Sequence, residues 1–134
     1  MLFFVGFAAF KKRRQILDKA NPNLSIEYAD GATLATLMDE KILQAEQVQS
    51  LEQAFLPLVE QNDSIRLVID FSKVQFLTSS LLGLLIRLNK KVCQNQGRLR
   101  LCSIDPKILE IFKITRLDKV LEICSDRQQA LIDF

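Results

Sequence analysis

Ile65-Arg66-Leu67-Val68-Ile69-Asp70-Phe71 runs through Ser72-Lys73-Val74-Gln75-Phe76-Leu77 into Thr78-Ser79-Ser80-Leu81-Leu82-Gly83, and this stretch decides the fold. Its first seven residues alternate too little for a strand with one wet face, which predicts a central strand covered on both sides. Three consecutive hydroxyls then mark a helix start. Beyond them Leu81, Leu84, Leu85, Leu88 and Val92 fall at offsets of three, four, seven and eleven, one stripe on a 3.6-residue period that must face a core. Leu82 and Ile86 lie off that stripe, so the first two turns are apolar nearly all round and imply either close cover or a patch offered to a partner. Gly83 would cost about 1 kcal/mol relative to Ala in an exposed helix interior, and close backbone packing is the expected compensation.

The run from Leu67 to Gly83 resembles the signature of STAS domains, the anti-sigma factor antagonist family. In that family a hydrophobic strand ending in Asp leads to an Asp-Ser-Ser-Gly-type turn that opens a helix. The family's phosphorylated serine is the first of the pair, which matches Ser79, with Thr78 and Ser80 as the alternate phosphoacceptors. The chain departs from the pattern at Thr78, where the family usually carries an acidic residue, and at Leu81, where it usually carries a small one. Downstream, Ile108-Leu109-Glu110-Ile111-Phe112-Lys113-Ile114-Thr115-Arg116-Leu117-Asp118-Lys119-Val120 is similar to the family's closing segment, a short helix, a turn ending in Leu-Asp and a last edge strand. The resemblance implies an α/β fold, a single STAS-type domain over residues 24–134 with a mixed sheet of four to five strands and about four helices.

The flanking sequence supports that layout. Leu24, Ile26 and Tyr28 alternate with polar residues as a half-buried strand does, Ala29-Asp30-Gly31 reads as a turn, and residues 33–38 form the second strand of an antiparallel hairpin. Ala45, Val48, Leu51, Phe55, Leu58 and Val59 give an amphipathic helix, with Pro57 predicting a kink or an early end. Gly97 is the expected left-handed helix terminator. Residues 98–104 follow as a strand with Leu99 and Leu101 inward. Asp105-Pro106 has the form of an N-cap acceptor followed by Pro in the first turn. Ser125 to Gln128 fits a capping box opening a final helix.

Composition excludes several classes of function. The 134 residues suit one domain, nearly half of them apolar and a quarter charged, with a net charge of +2 that is too small to support nucleic-acid binding. No His is present, which removes Ser-His-Asp chemistry, Cys-His chemistry and His-ligated metal sites. Cys93, Cys102 and Cys124 are spaced too widely for a metal knuckle and read as reduced thiols of a cytoplasmic protein. No Gly-rich phosphate loop or convincing carboxylate pair stands out, so the chain reads as a non-enzyme without cofactor or metal, and its serine as a substrate. Asp70 reads as a solvated carboxylate at a strand end.

Residues 1–23 form an apolar and basic N-terminal extension. Ten mostly apolar residues precede Lys11-Lys12-Arg13-Arg14; as a helix they would span about 15 Å, half a hydrocarbon core, and the charges follow the apolar run where a signal peptide would place them first. Two readings stand: a segment that packs on the domain or is partly disordered, which is favoured, and weak peripheral association of residues 1–14 with the inner membrane.

At the mouth of a helix several amide hydrogens have no intrahelical partner and the dipole favours negative charge, so a phosphate on Ser79 would be tolerated locally. A partner docking on Thr78, Ser79, Ser80, Leu81, Leu82 and Ile86 would have to desolvate that phosphate. The penalty of several kcal/mol corresponds to two or more decades in affinity. The plainer alternative is an N-cap hydroxyl contributing about 1 kcal/mol to the helix. The resemblance implies an anti-sigma factor that is also the serine kinase, and a phosphatase that resets the switch. The alternative function is an accessory subunit of a lipid or anion transport system, docking on its transporter ATPase through the same helix.

Overall fold

The computed structural model describes residues 23–132 and 134. The hairpin forms as expected, β1 (Leu24–Ala29) antiparallel to β2 (Ala32–Leu37). Asp30 and Gly31 between them have φ of 54° and 79°, the paired positive values that a two-residue turn of matching twist requires. Tyr28 is exposed rather than half-buried, since it stands beside the turn at the end of an edge strand.

After β2 come β3 (Lys41–Ile42), α1 (Ala45–Glu60), β4 (Arg66–Asp70), β5 (Phe76–Leu77), α2 (Ser79–Gln94), β6 (Arg98–Cys102), α3 (Pro106–Ile114), a single 3-10 turn (Leu117–Lys119), β7 (Glu122–Cys124) and α4 (Arg127–Leu131). The main sheet has the order β1-β2-β4-β6-β7, with every pair after the hairpin parallel. From β2 onward each connection steps one strand further in the same direction, so right-handed crossovers set α1, α2 and α3 on one face. Their inward side chains, Leu51 and Phe55, Leu84, Leu85 and Leu88, and Ile108 and Phe112, join Leu67, Ile69, Leu99 and Leu101 in one core. On the opposite face Leu34, Val68 and Cys102 pack with Ala130 of α4. The central strand is therefore buried on both sides, as its unbroken apolar run predicts.

Several local expectations are corrected. The α1 helix does not stop at Pro57 but runs one turn further, because a proline so near the end forfeits only the bond to the Gln53 carbonyl. The left-handed residue after α2 is Gln96, with φ of 63°, not Gly97. Gly97 is needed for a different reason: a Cβ there would fall on the Ile65 carbonyl oxygen and lie 2.9 Å from the Ile65 nitrogen, where β4 and β6 begin side by side. Gly83 has no close backbone neighbour, since an added Cβ would meet only Arg87 Nη1 at 3.5 Å. The last helix is capped one residue later than expected, by Asp126, whose Oδ1 accepts from the Gln129 amide at 2.9 Å.

The sequence pattern also did not foresee the parallel ribbon of β3 and β5, which pairs Lys41 with Phe76 and Ile42 with Leu77. The Glu40 carbonyl ties it down by accepting from the amides of Gln75 (2.8 Å) and Phe76 (3.1 Å). The extension assigned to residues 1–23 lies, apart from Asn23, outside the described residues.

Candidate functional site

The chain leaves β4 at Asp70, turns through residues 71–75, pairs briefly as β5 and enters α2, so Thr78, Ser79 and Ser80 stand at the C-terminal end of the parallel strands. Thr78 is the N-cap in extended conformation, and its carbonyl accepts from the Leu81 amide at 3.1 Å, but its side chain makes no capping bond. Ser79 and Ser80 are exposed, and neither hydroxyl makes a hydrogen bond among the described residues. Ser79 thus offers a free oxygen on the first residue of a 16-residue helix.

The apolar residues assigned to the partner surface divide. Ile86, seven residues after Ser79 and so on the same face, is 40% exposed. Leu81 is 1% exposed and belongs to the core stripe, and Leu82 is 8% exposed. Both are corrected from contact surface to packing. Leu82 packs into the main core cluster, and further along α2 Asn89 Nδ2 donates to the Val120 carbonyl at 3.5 Å. On the other flank Ser80, Gly83 and Arg87 line a shallow hollow of about 280 Å³ with Ala45, Val48, Gln49 and Glu52 of α1. Two of the lining side chains, Arg87 and Glu52, form an ion pair at 3.2 Å.

Behind this surface Asp70 is 2% exposed, which corrects its reading as a solvated carboxylate. Its Oδ2 pairs with Arg127 Nη2 at 2.8 Å and Nε at 3.1 Å, and its Oδ1 accepts from the Ser72 amide at 2.7 Å. Arg127 Nη2 also donates to Thr36 Oγ1 at 3.3 Å. The carboxylate therefore ties the loop leading to Ser79 to the start of α4. The far end of α4 is held by Arg100, buried beside β7, which donates to the carbonyls of Ala130 (2.9 Å) and Ile132 (2.6 Å) and pairs with Glu122 (2.9 Å). Hydrogen bonding to Asp70 raises the Arg127 pKa. Burial, with the Asp70 charge second, pushes the Cys102 thiol up to about 11, so it stays protonated beneath the site. No group of His, Cys, Asp and Glu among the described residues is arranged to hold a metal ion.

The STAS domain family model matches residues 40–130, and the chain belongs to that family. BtrV of Bordetella bronchiseptica, which bears the name anti-sigma factor antagonist, is 24% identical over 111 residues, covering 83% of this chain and 93% of BtrV. A solved anti-sigma factor antagonist domain from Planctomyces limnophilus is 26% identical with a TM-score of 0.74, covering 81% of this chain and 95% of that one. The phosphorylated form of the Bacillus cell fate determinant SpoIIAA, at 15% identity and a TM-score of 0.61 over 78% of this chain and 94% of its own, shares the fold.

Proposed function

We propose that this STAS domain is a protein-interaction switch, an anti-sigma factor antagonist that binds an anti-sigma factor while Ser79 is unmodified and is released when Ser79 is phosphorylated. The single observation that carries the reading is the exposed Ser79 hydroxyl, unbonded among the described residues, on the first residue of a helix whose N-cap makes no side-chain bond. Such a terminus accepts a phosphate without rearrangement, since its free amides and dipole favour the charge. The same charge opposes a partner that must bury it. BtrV and the Planctomyces domain bear the antagonist name, and SpoIIAA exists in a phosphorylated form.

The partner surface, corrected for burial, consists of Thr78, Ser79, Ser80 and Ile86, with Leu81 and Leu82 holding the turn from beneath. The anti-sigma factor is itself the serine kinase and a separate phosphatase restores the free hydroxyl. The chain is substrate and ligand rather than catalyst: no described residue is hydrogen-bonded to Ser79 as a base. It works in the cytoplasm, with weak peripheral association through residues 1–14 as the second reading of the N-terminal extension; no helix among the described residues is long and apolar enough to cross a membrane.

Incubation with an anti-sigma kinase and ATP, followed by mass spectrometry, should add one phosphate that Ser79→Ala abolishes. An unmodified wild type, together with a transporter ATPase recovered on co-purification, would replace this reading with the transport-subunit one.

A further inference from the structure

We propose that the anti-sigma factor lays an acidic segment along the outer face of α2, where Ile86 and Val120 present apolar surface beside Lys90, Arg116 and Lys119. The partner's identity rests on the antagonist reading above, and the chemistry of its docking element rests on this face alone.

Charge is divided along the chain. Residues 79–120 carry nine Lys and Arg against three Asp and Glu, whereas residues 23–78 carry three against nine. Where α2 meets α1 the charges neutralise one another, Arg87 pairing with Glu52 and Lys91 with Glu60. Further round the helix that neutralisation stops. Lys90, Arg116 and Lys119 are exposed, and none has an ion pair or a side-chain hydrogen bond among the described residues. The only carboxylate between Ile111 and Leu121 is Asp118, which is half-buried.

The free cations accompany exposed apolar surface. Ile86 is 40% exposed, and Asn89 and Lys90 follow it by three and four residues, on the same face. The bond from Asn89 Nδ2 to the Val120 carbonyl brings Val120, 54% exposed, against the helix there, with Lys119 next to it in the chain. Arg116 stands one turn earlier, its carbonyl accepting from the Lys119 amide at 3.2 Å. Aliphatic surface set among cations has the anatomy of a protein interface, and unpaired cations select a carboxylate-rich partner. A nucleic acid would also meet the charge, but the one aromatic ring in residues 79–120, Phe112, is fully buried, so no base can stack there.

This face is continuous with the switch. Ser79 and Ile86 lie two turns apart on one side of α2, about 10 Å along the helix, so an acidic segment seated on Ile86 and running toward the N-terminus reaches Ser79. A phosphate there sets like charge against it, on top of the desolvation cost. Lys90 is about 16 Å from Ser79 along the axis, beyond the screening length of about 8 Å at physiological salt, so it adds affinity without blunting the switch.

Isothermal titration of the full chain with a purified anti-sigma factor tests this docking face. Arg116→Glu with Lys119→Glu should weaken binding of the unmodified protein by at least about thirty-fold, and Val120→Ala by about five-fold. Raising salt from about 0.05 M to about 0.5 M should weaken the wild type about ten-fold and the double variant far less. Phosphorylation of Ser79 should still weaken the binding that the double variant retains. Unchanged thermal melting shows that the double variant folds; because Arg116 has φ of 63°, Lys90→Glu with Lys119→Glu repeats the test without altering that position. An anti-sigma factor that fails to bind the wild type overturns the antagonist reading and this occupant together. Wild-type binding that both double variants match within about three-fold overturns this surface alone and leaves the Ser79 switch standing. A random-sequence DNA duplex that binds the wild type and is lost from both double variants, while their affinity for the anti-sigma factor holds, assigns the face to nucleic acid and likewise overturns it.

Discussion

The first turns of α2 and α3 are built from opposite solutions to the same problem. Each helix begins with amide hydrogens that lack an intrahelical partner. At α3 Asp105 satisfies one, its Oδ1 accepting from the Lys107 amide at 2.9 Å, with Pro106 fixing the first position. At α2 Thr78 occupies the same place without a side-chain bond, and two exposed hydroxyls follow it. The other helices side with α3: Asp126 caps α4, and Gln47 Oε1 accepts from the amides of Leu43 and Gln44 at the start of α1. The difference teaches that α2 is held from its inner face rather than its end, which leaves the end free to take a charge.

Six substitutions sharpen or break that contrast. Leu81→Ala removes the inner anchor of the first turn of α2 and should lower the free energy of unfolding by about 3 kcal/mol in urea titration; a loss under about 1 kcal/mol would mean that the turn is held elsewhere. Arg127→Ala leaves the Asp70 carboxylate buried without its partner and should cost about 2 kcal/mol. Asp70→Asn should cost less in the same titration, because Arg127 is partly exposed and can solvate itself. Asp105→Ala should cost about 1 kcal/mol whereas Thr78→Ala costs only a few tenths; equal losses in thermal melting would erase the distinction between the two helix starts. Gly83→Ala should raise stability by up to about 1 kcal/mol, since an added methyl has room beside Arg87.

How much of this was legible in the sequence depends on the range over which each fact is decided. Periodicity is local, so the strand through Val68, the α2 stripe from Leu81 to Val92 and the Asp30-Gly31 hairpin were readable from neighbours alone. Asp105-Pro106 was readable for the same reason, because a cap needs only three residues. What failed was set by distant partners. The partner of Asp70 is Arg127, and the strand end looks solvated until topology brings α4 across it. Leu82 looked available off its stripe because the core that buries it is gathered from segments distant in the chain, which no local period encodes. Gly97 was read as the left-handed helix terminator, but what requires it is a close approach to Ile65, which no local pattern encodes. The β3–β5 ribbon is two residues long on each side and carries no period to detect.

The central claim is that charge on Ser79 vetoes docking, and isothermal titration of one purified anti-sigma factor with unmodified and Ser79-phosphorylated protein tests it most directly. The account predicts tight binding of the unmodified protein and a loss of at least about a hundred-fold on phosphorylation. Equal affinities for the two forms would contradict it.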